Sequence, residues 1–140
     1  MSECCLATVS LNPGTIYQLP VSVPPAGLPT FVPIYRFPDC PVCNVTLSVM
    51  ADRTGATGTG VITVTFLLDN RERCVLDQII LDPATGISID GATFTICNLE
   101  HACRIVAVAT STTATTGTVA LSLQSIGIIF KDPCCHSHRR

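Results

Sequence analysis

The chemistry available to this chain is cysteine chemistry. Nine cysteines occur in 140 residues. Cys4-Cys5 stand near one terminus and Cys134-Cys135 near the other; Cys40 and Cys43 form a C-x-x-C unit, Cys74 stands alone, and Cys97 and Cys103 flank Asn98-Leu99-Glu100-His101-Ala102. A disulfide across one peptide bond strains the Cα separation the bond prefers, so adjacent cysteines look elsewhere for partners. An odd count leaves at least one thiol without an intrachain partner and permits pairing between chains.

Other uses of these residues can be weighed. A redox C-x-x-C pair relies on a helix N-terminus to lower the first thiol's pKa, whereas Cys43 is followed by Asn44-Val45-Thr46-Leu47, a strand-like run. A metal knuckle needs two further ligands beyond Cys40 and Cys43. Cys134, Cys135, His136 and His138 are the candidates, which gives a zinc- or copper-binding or redox-active β module as the alternative reading. Cys97 and Cys103 read as the two sides of a hairpin connection, paired with each other or accepting a cysteine from another chain. Cys74, at a strand start, reads as a buried free thiol. His101 has no nucleophile at a recognisable spacing, and the aspartates sit at strand ends where turn chemistry accounts for them. Gly55-Ala56-Thr57-Gly58-Thr59-Gly60 lacks the following helix and lysine of a phosphate loop. No catalytic residues and no cofactor are expected.

Composition narrows the partners. Charged residues make up 13%, hydrophobic residues 47%, and the net charge is −2; such a surface repels copies of itself weakly, which favours self-association. No basic patch precedes Arg139-Arg140, so the electrostatic footprint of nucleic-acid binding is missing. Met1-Ser2-Glu3-Cys4-Cys5 lacks the basic start and apolar run of a secretory signal, and no run reaches the ~18 apolar residues of a membrane span. A domain of this size buries roughly 65–70% of its unfolded surface without needing disulfide staples. A cysteine-rich chain without an export signal is then either reduced and metal-binding, or assembled inside a cell and oxidised later.

The elements that must position these thiols are strands. Residues 1–15 read as an N-terminal arm ending at the turn signal Asn12-Pro13-Gly14, able to reach roughly 40–50 Å if extended. Prolines at 20, 24, 25, 29, 33, 38 and 41 restrict the next stretch to loops and edge strands. Period-2 alternation predicts strands over 30–37, 45–49, 61–68, 74–81, 87–89, 92–99, 103–110 and 117–130, with a turn at Asp90-Gly91 and a change of inward face near Gly127. About eight strands and no helix predict an antiparallel two-sheet β-sandwich of jelly-roll type spanning 16–130, followed by a Cys/His tail at 131–140.

The short arm bearing Cys4-Cys5, the Thr/Ile/Val-rich body and the piece Ala92-Thr93-Phe94-Thr95-Ile96-Cys97-Asn98-Leu99-Glu100 together resemble the self-assembling subunits of bacterial endospore appendages. The resemblance implies a connector arm that crosses to neighbouring copies. Its vicinal cysteines would form disulfides with cysteines on their sandwiches, and the fibre would stack by sheet augmentation. Carried onto this chain, Cys4 and Cys5 are the connector thiols. Their acceptors stay open among Cys40/Cys43, Cys97/Cys103 and Cys134/Cys135 of other copies. The expectation is a structural homopolymer on a spore or cell surface. A ligand-binding jelly roll of lectin or capsid type is the remaining class, and it leaves the terminal thiol pairs unexplained.

Overall fold

The computed structural model describes residues 4–23, 29–36, 42–69, 74–97, 104–113 and 115–131. Ten strands are formed among them: β1 (Cys4–Leu11), β2 (Thr15–Ser22), β3 (Val32–Arg36), β4 (Val42–Asp52), β5 (Ala56–Thr57), β6 (Ile62–Asp69), β7 (Cys74–Leu81), β8 (Ile89–Cys97), β9 (Arg104–Ser111) and β10 (Thr116–Lys131). A single 3₁₀ turn, Pro83–Thr85, joins β7 to β8.

They form an antiparallel two-sheet β-sandwich of jelly-roll type. In the first sheet β10 carries β4 on one side, and β4 in turn carries β8. The other side of β10 is filled first by β1, along residues 126–131, and then by β2, along residues 118–123. The second sheet runs β7-β6-β9, and the far side of β9 is shared by β3 and the tip of β2. Strand β2 therefore changes sheet: Thr15–Pro20 pair with β10 and Val21-Ser22 with β9, the latter in parallel. Each half is bonded to one neighbour only, which is the circumstance in which a proline such as Pro20 is tolerated in a strand.

The core lies between the sheets and follows the alternation. On β6, Ile62, Val64, Phe66 and Leu68 point inward while the intervening residues are half-buried. Val45, Leu47, Val49 and Ala51 do the same on β4, and Phe66 meets Phe94 of β8 across the sandwich at 5.2 Å between ring centroids. On the outer face, hydroxyl pairs clip β8 to β4: Thr46 to Thr95 at 2.8 Å and Ser48 to Thr93 at 3.0 Å, cross-strand contacts that help fix register.

Several expectations are corrected. The turn at Asp90-Gly91 does not form. β4 is eleven residues long and offers a partner to every residue of 89–97, with Asp90 opposite Ala51 and Gly91 opposite Met50, so one strand replaces two. The inward face of β10 changes between Leu123 and Ser125, where its register against β4 slips, and not at Gly127. A bulge there lets Val119, Leu121 and Leu123 and then Ile126 and Ile128 all face the core. The arm segment itself is not among these corrections: its residues 4–11 form strand β1, which in the single chain docks on β10 with Val9 and Leu11 37% and 45% exposed. Gly14, at φ +63°, makes the break between β1 and β2 that a residue with a Cβ would resist, and its N–H donates to the Leu123 carbonyl at 3.1 Å. β2 and β5 were not expected.

One charge lies inside. Arg53, 5% exposed, donates from Nη1 to the carbonyls of Gly60 (2.7 Å) and Leu81 (2.9 Å) and from Nη2 to that of Gly58 (3.1 Å). It ties the glycine-rich link after β4 to the end of β7. Gly60 must lack a side chain there, because a Cβ would run into the hydroxyls of Ser111, Thr113 and Thr115. Replacing Arg53 by Met leaves buried carbonyls without donors, each costing about 1–3 kcal/mol. Urea unfolding of Arg53→Met under reducing conditions should show a loss of about 3 kcal/mol or more, with the β-sheet spectrum retained.

Candidate functional site

The placement of the cysteines follows from strand directions. β1 begins at Cys4, opposite Lys131, the last residue of β10. β4 begins at Val42-Cys43, and Val42 stands opposite Phe130. β8 finishes at Cys97, opposite Asn44. All three therefore reach the same end of the first sheet. Because β9 runs parallel to β2, which continues β1 away from that end, the start of β9 lies at that end too. There Arg104 stands opposite Asp69, the last residue of β6, and opposite Arg36, the last of β3. Cys74, the first residue of β7, pairs with Leu68.

Five cysteines, Cys4, Cys5, Cys43, Cys74 and Cys97, thus belong to strand ends gathered at one end of the sandwich. Cys40, Cys103, Cys134 and Cys135 lie outside the described residues. In sequence they stand close to strand boundaries at this same end: Cys40 two residues before Val42, Cys103 directly before Arg104, Cys134 three residues after Lys131. The opposite end takes the links between β2 and β3, between β4 and β6, between β7 and β8, and between β9 and β10. Their sequences contain no cysteine; Arg53 anchors the second, and the carboxylates of Asp52, Asp82 and Asp90 lie at or beside strand ends here. Those carboxylates are spent locally, accepting the N–H groups of Thr54, Ala84 and Gly91.

Cys74 is exposed, which corrects the expectation of a buried thiol. It opens an edge strand whose inward positions are Ile79 and Leu81, so the core is closed without it. Close by, Arg104 Nε donates to Asp69 Oδ2 at 2.6 Å across the β9–β6 ladder, with side chains 35% and 19% exposed. At this exposure the pair fastens the strand ends by about 1 kcal/mol at most. Of the alternative metal ligands, Cys40, Cys134, Cys135, His136 and His138 lie outside the described residues, as does His101, and Cys43 is described only as a strand position. Among the described residues no group of three or more His, Cys, Asp or Glu side chains converges. Among the described residues no helix is long and apolar enough to cross a membrane. A shallow groove of about 310 Å³ lies on the outer face of the first sheet between Met50, Gly91, Thr93 and Gln124; no cysteine lines it, and its walls carry no charge and no aromatic ring.

The sequence reading missed both Arg53 and the gathering of thiols at one end. A signal for the second was present: cysteines fall at alternate strand boundaries, and alternate boundaries of an antiparallel chain share an end. Dividing β8 at Asp90-Gly91 adds a reversal that the chain does not make, and this broke that parity.

No protein-family model matches the chain, and the search of curated proteins finds no match. Among solved structures, one described as a CBM4 is similar at 16% identity over 69% of this chain and 57% of its own, with a TM-score of 0.33. The infectious bursal disease virus Gt strain structure gives 12% identity over 89% of this chain and 32% of its own, TM-score 0.45. The C-terminal CBM6 of LamC from Zobellia galactanivorans gives 11% over 88% and 99%, TM-score 0.35. The chain thus spans just over half of the first and a third of the second.

Near the cysteine-bearing end, burial raises the Tyr35 phenol above its ordinary value of 10.0. The unfolded chain therefore loses this proton first, and the associated stability, complete below about pH 10, is lost as pH climbs through the folded value. Urea midpoints measured with reductant across about pH 9–11 should fall for the wild type and fall less for Tyr35→Phe.

Proposed function

We propose that this chain is a structural, non-catalytic subunit that self-assembles into an extracellular, spore-surface fibre or pilus-like appendage, its copies joined by interchain disulfides that start from the Cys4-Cys5 segment. The observation that carries this reading is the collection of strand-end cysteines at one end of a sandwich whose core closes without them. Cys74 among them is exposed. An odd number of them guarantees one available to a neighbour.

Further support comes from the sheet edges. Among the described residues β1 and β8 each have one ladder partner, so each offers a row of free backbone groups to another copy. Apolar side chains lie along these margins, with Val9 and Leu11 of β1 and Ile89 of β8 all more than a third exposed. The surface between is poor in charge, which lowers the repulsion between copies. Strand β1 holds to β10 alone and is separated from β2 by the Gly14 break, an arrangement suited to a segment that works at a subunit boundary. Each cross-link converts two thiols and one dioxygen into a disulfide and hydrogen peroxide. Once made, each would contribute about 2–4 kcal/mol by restricting the unfolded chain, and several in parallel oppose dissociation.

Air-oxidised protein should run on denaturing gels without reductant as a ladder or as material too large to enter. With reductant it should collapse to the 14.8 kDa chain. The Cys4→Ser/Cys5→Ser double variant should lose most of the high-mass material while keeping its sheet spectrum. A wild-type chain that runs as a monomer without reductant would end the covalent-assembly reading.

A further inference from the structure

We propose that the groove on the outer face of the first sheet is a binding site for a short stretch of an uncharged glycan. No cysteine lines it, so the site stands or falls apart from the assembly reading above.

Two departures from regular strand geometry make the groove. β10 slips by one residue between Leu123, opposite Val49, and Ser125, opposite Ser48, so Gln124 faces no residue of β4. A bulge of this kind re-aims its side chain, and the exposed Gln124 forms one wall. On the other flank of β4, Gly91 stands opposite Met50. A Cβ at Gly91 would lie 3.0 Å from the Val49 carbonyl oxygen and 3.9 Å from the Met50 ε-methyl. The missing side chain leaves this floor open, and a glycine inside a strand often marks such a close approach. Bulge and glycine lie far apart in the sequence, yet both open the same space of about 310 Å³. Sites for small ligands start at about 300 Å³, which suits a short piece of a chain.

The lining sets the chemistry of the occupant. β4 is laddered to β10 on one side and to β8 on the other, so a peptide laid across this face finds no strand edge to pair with. Recognition falls to side chains. Ser48 and Thr93 share one hydrogen bond at 3.0 Å; only one of the two hydroxyls donates in it, which leaves the other's hydrogen and spare lone pairs. Gln124 Nε2 donates to Ser122 Oγ at 3.2 Å, and its amide oxygen and second N–H remain. These groups both donate and accept, as sugar hydroxyls do. Met50, 42% exposed, and the Gly91-Ala92 backbone supply apolar surface for the C–H face of a ring. No charged side chain lines the groove, and Asp52 and Asp90 nearby accept the N–H groups of Thr54 and Gly91. Nothing in the groove offsets the desolvation of a charged ligand.

The test follows the ¹⁵N-labelled full chain, kept in reductant, by NMR as cellotetraose, xylotetraose, mannotetraose or N-acetylchitotetraose is added. At least one of these neutral probes should give saturable shifts in the amides of Ser48, Met50, Gly91 and Thr93 and in the Gln124 side-chain amide, with a Kd of about 1 mM or tighter. Gln124→Ala and Thr93→Val, both at exposed positions, should keep the sheet spectrum and each weaken binding about fivefold, the size of one net hydrogen bond. Thr63→Ala, on the second sheet, should leave binding unchanged. Oligogalacturonate and a short uncharged peptide should produce no such shifts. Absence of saturable shifts with every neutral probe, or shifts that survive both groove variants undiminished, would overturn the site. Preference of the groove for the galacturonate or the peptide would overturn the assignment of an uncharged glycan.

Discussion

The constraint on which the structure depends is the need of β10 for partners along both sides. Sixteen residues long, it exposes two rows of backbone hydrogen-bonding groups, and any that were buried unpaired would cost more than a made bond returns. β4 covers one row almost completely, while β1 and β2 divide the other. Dividing that row creates the break at Gly14 and sends β2 onward to β9, and this joins the two sheets at one side. The bulge between Leu123 and Ser125 follows from the same length. A strand spanning the whole sandwich must keep its apolar side chains on the core through the change from β2 to β1, and it does so by slipping one residue.

Strand direction then does the rest. Once β1, β4, β8 and β10 are fixed in alternating directions, the connections at one end are those that carry or adjoin cysteine. At the other end Arg53 pins the glycine- and threonine-rich link after β4 to the end of β7. The molecule is chemically polar along its strand axis. One end holds oxidisable groups with the Arg104–Asp69 pair beside them. The other has a buried cation bound to carbonyls, with carboxylates turned on their own backbone. The core between is one continuous apolar cluster drawn from both sheets.

How far this could be seen in the residues alone varies by element. Ile62–Asp69 and Cys74–Leu81 were legible because their apolar residues and boundaries are plain. Ile89–Cys97 was not, since Asp90-Gly91 carries a strong turn signal that loses to the uninterrupted ladder with β4. The burial expected of Cys74 failed for a related reason: periodicity marks a strand, but it does not say that the strand's first residue overhangs an edge. Arg53 carried no signal in the sequence; its interior position arises only because the carbonyls of Gly58 and Gly60 and that of Leu81, at the end of β7, meet around it.

By itself the sequence determined the sandwich, its antiparallel character and the surplus of thiols, because alternation of side chains and a residue count are local properties of the chain. Which thiols share an end was decided only by the tertiary structure. That grouping depends on the direction of every strand relative to β10, and direction depends on how many chain reversals precede, a sum that one false turn such as Asp90-Gly91 upsets. The neighbours of Cys4-Cys5 were therefore open in the sequence and narrowed in the fold, where, among the described residues, Cys43, Cys74 and Cys97 stand at their end.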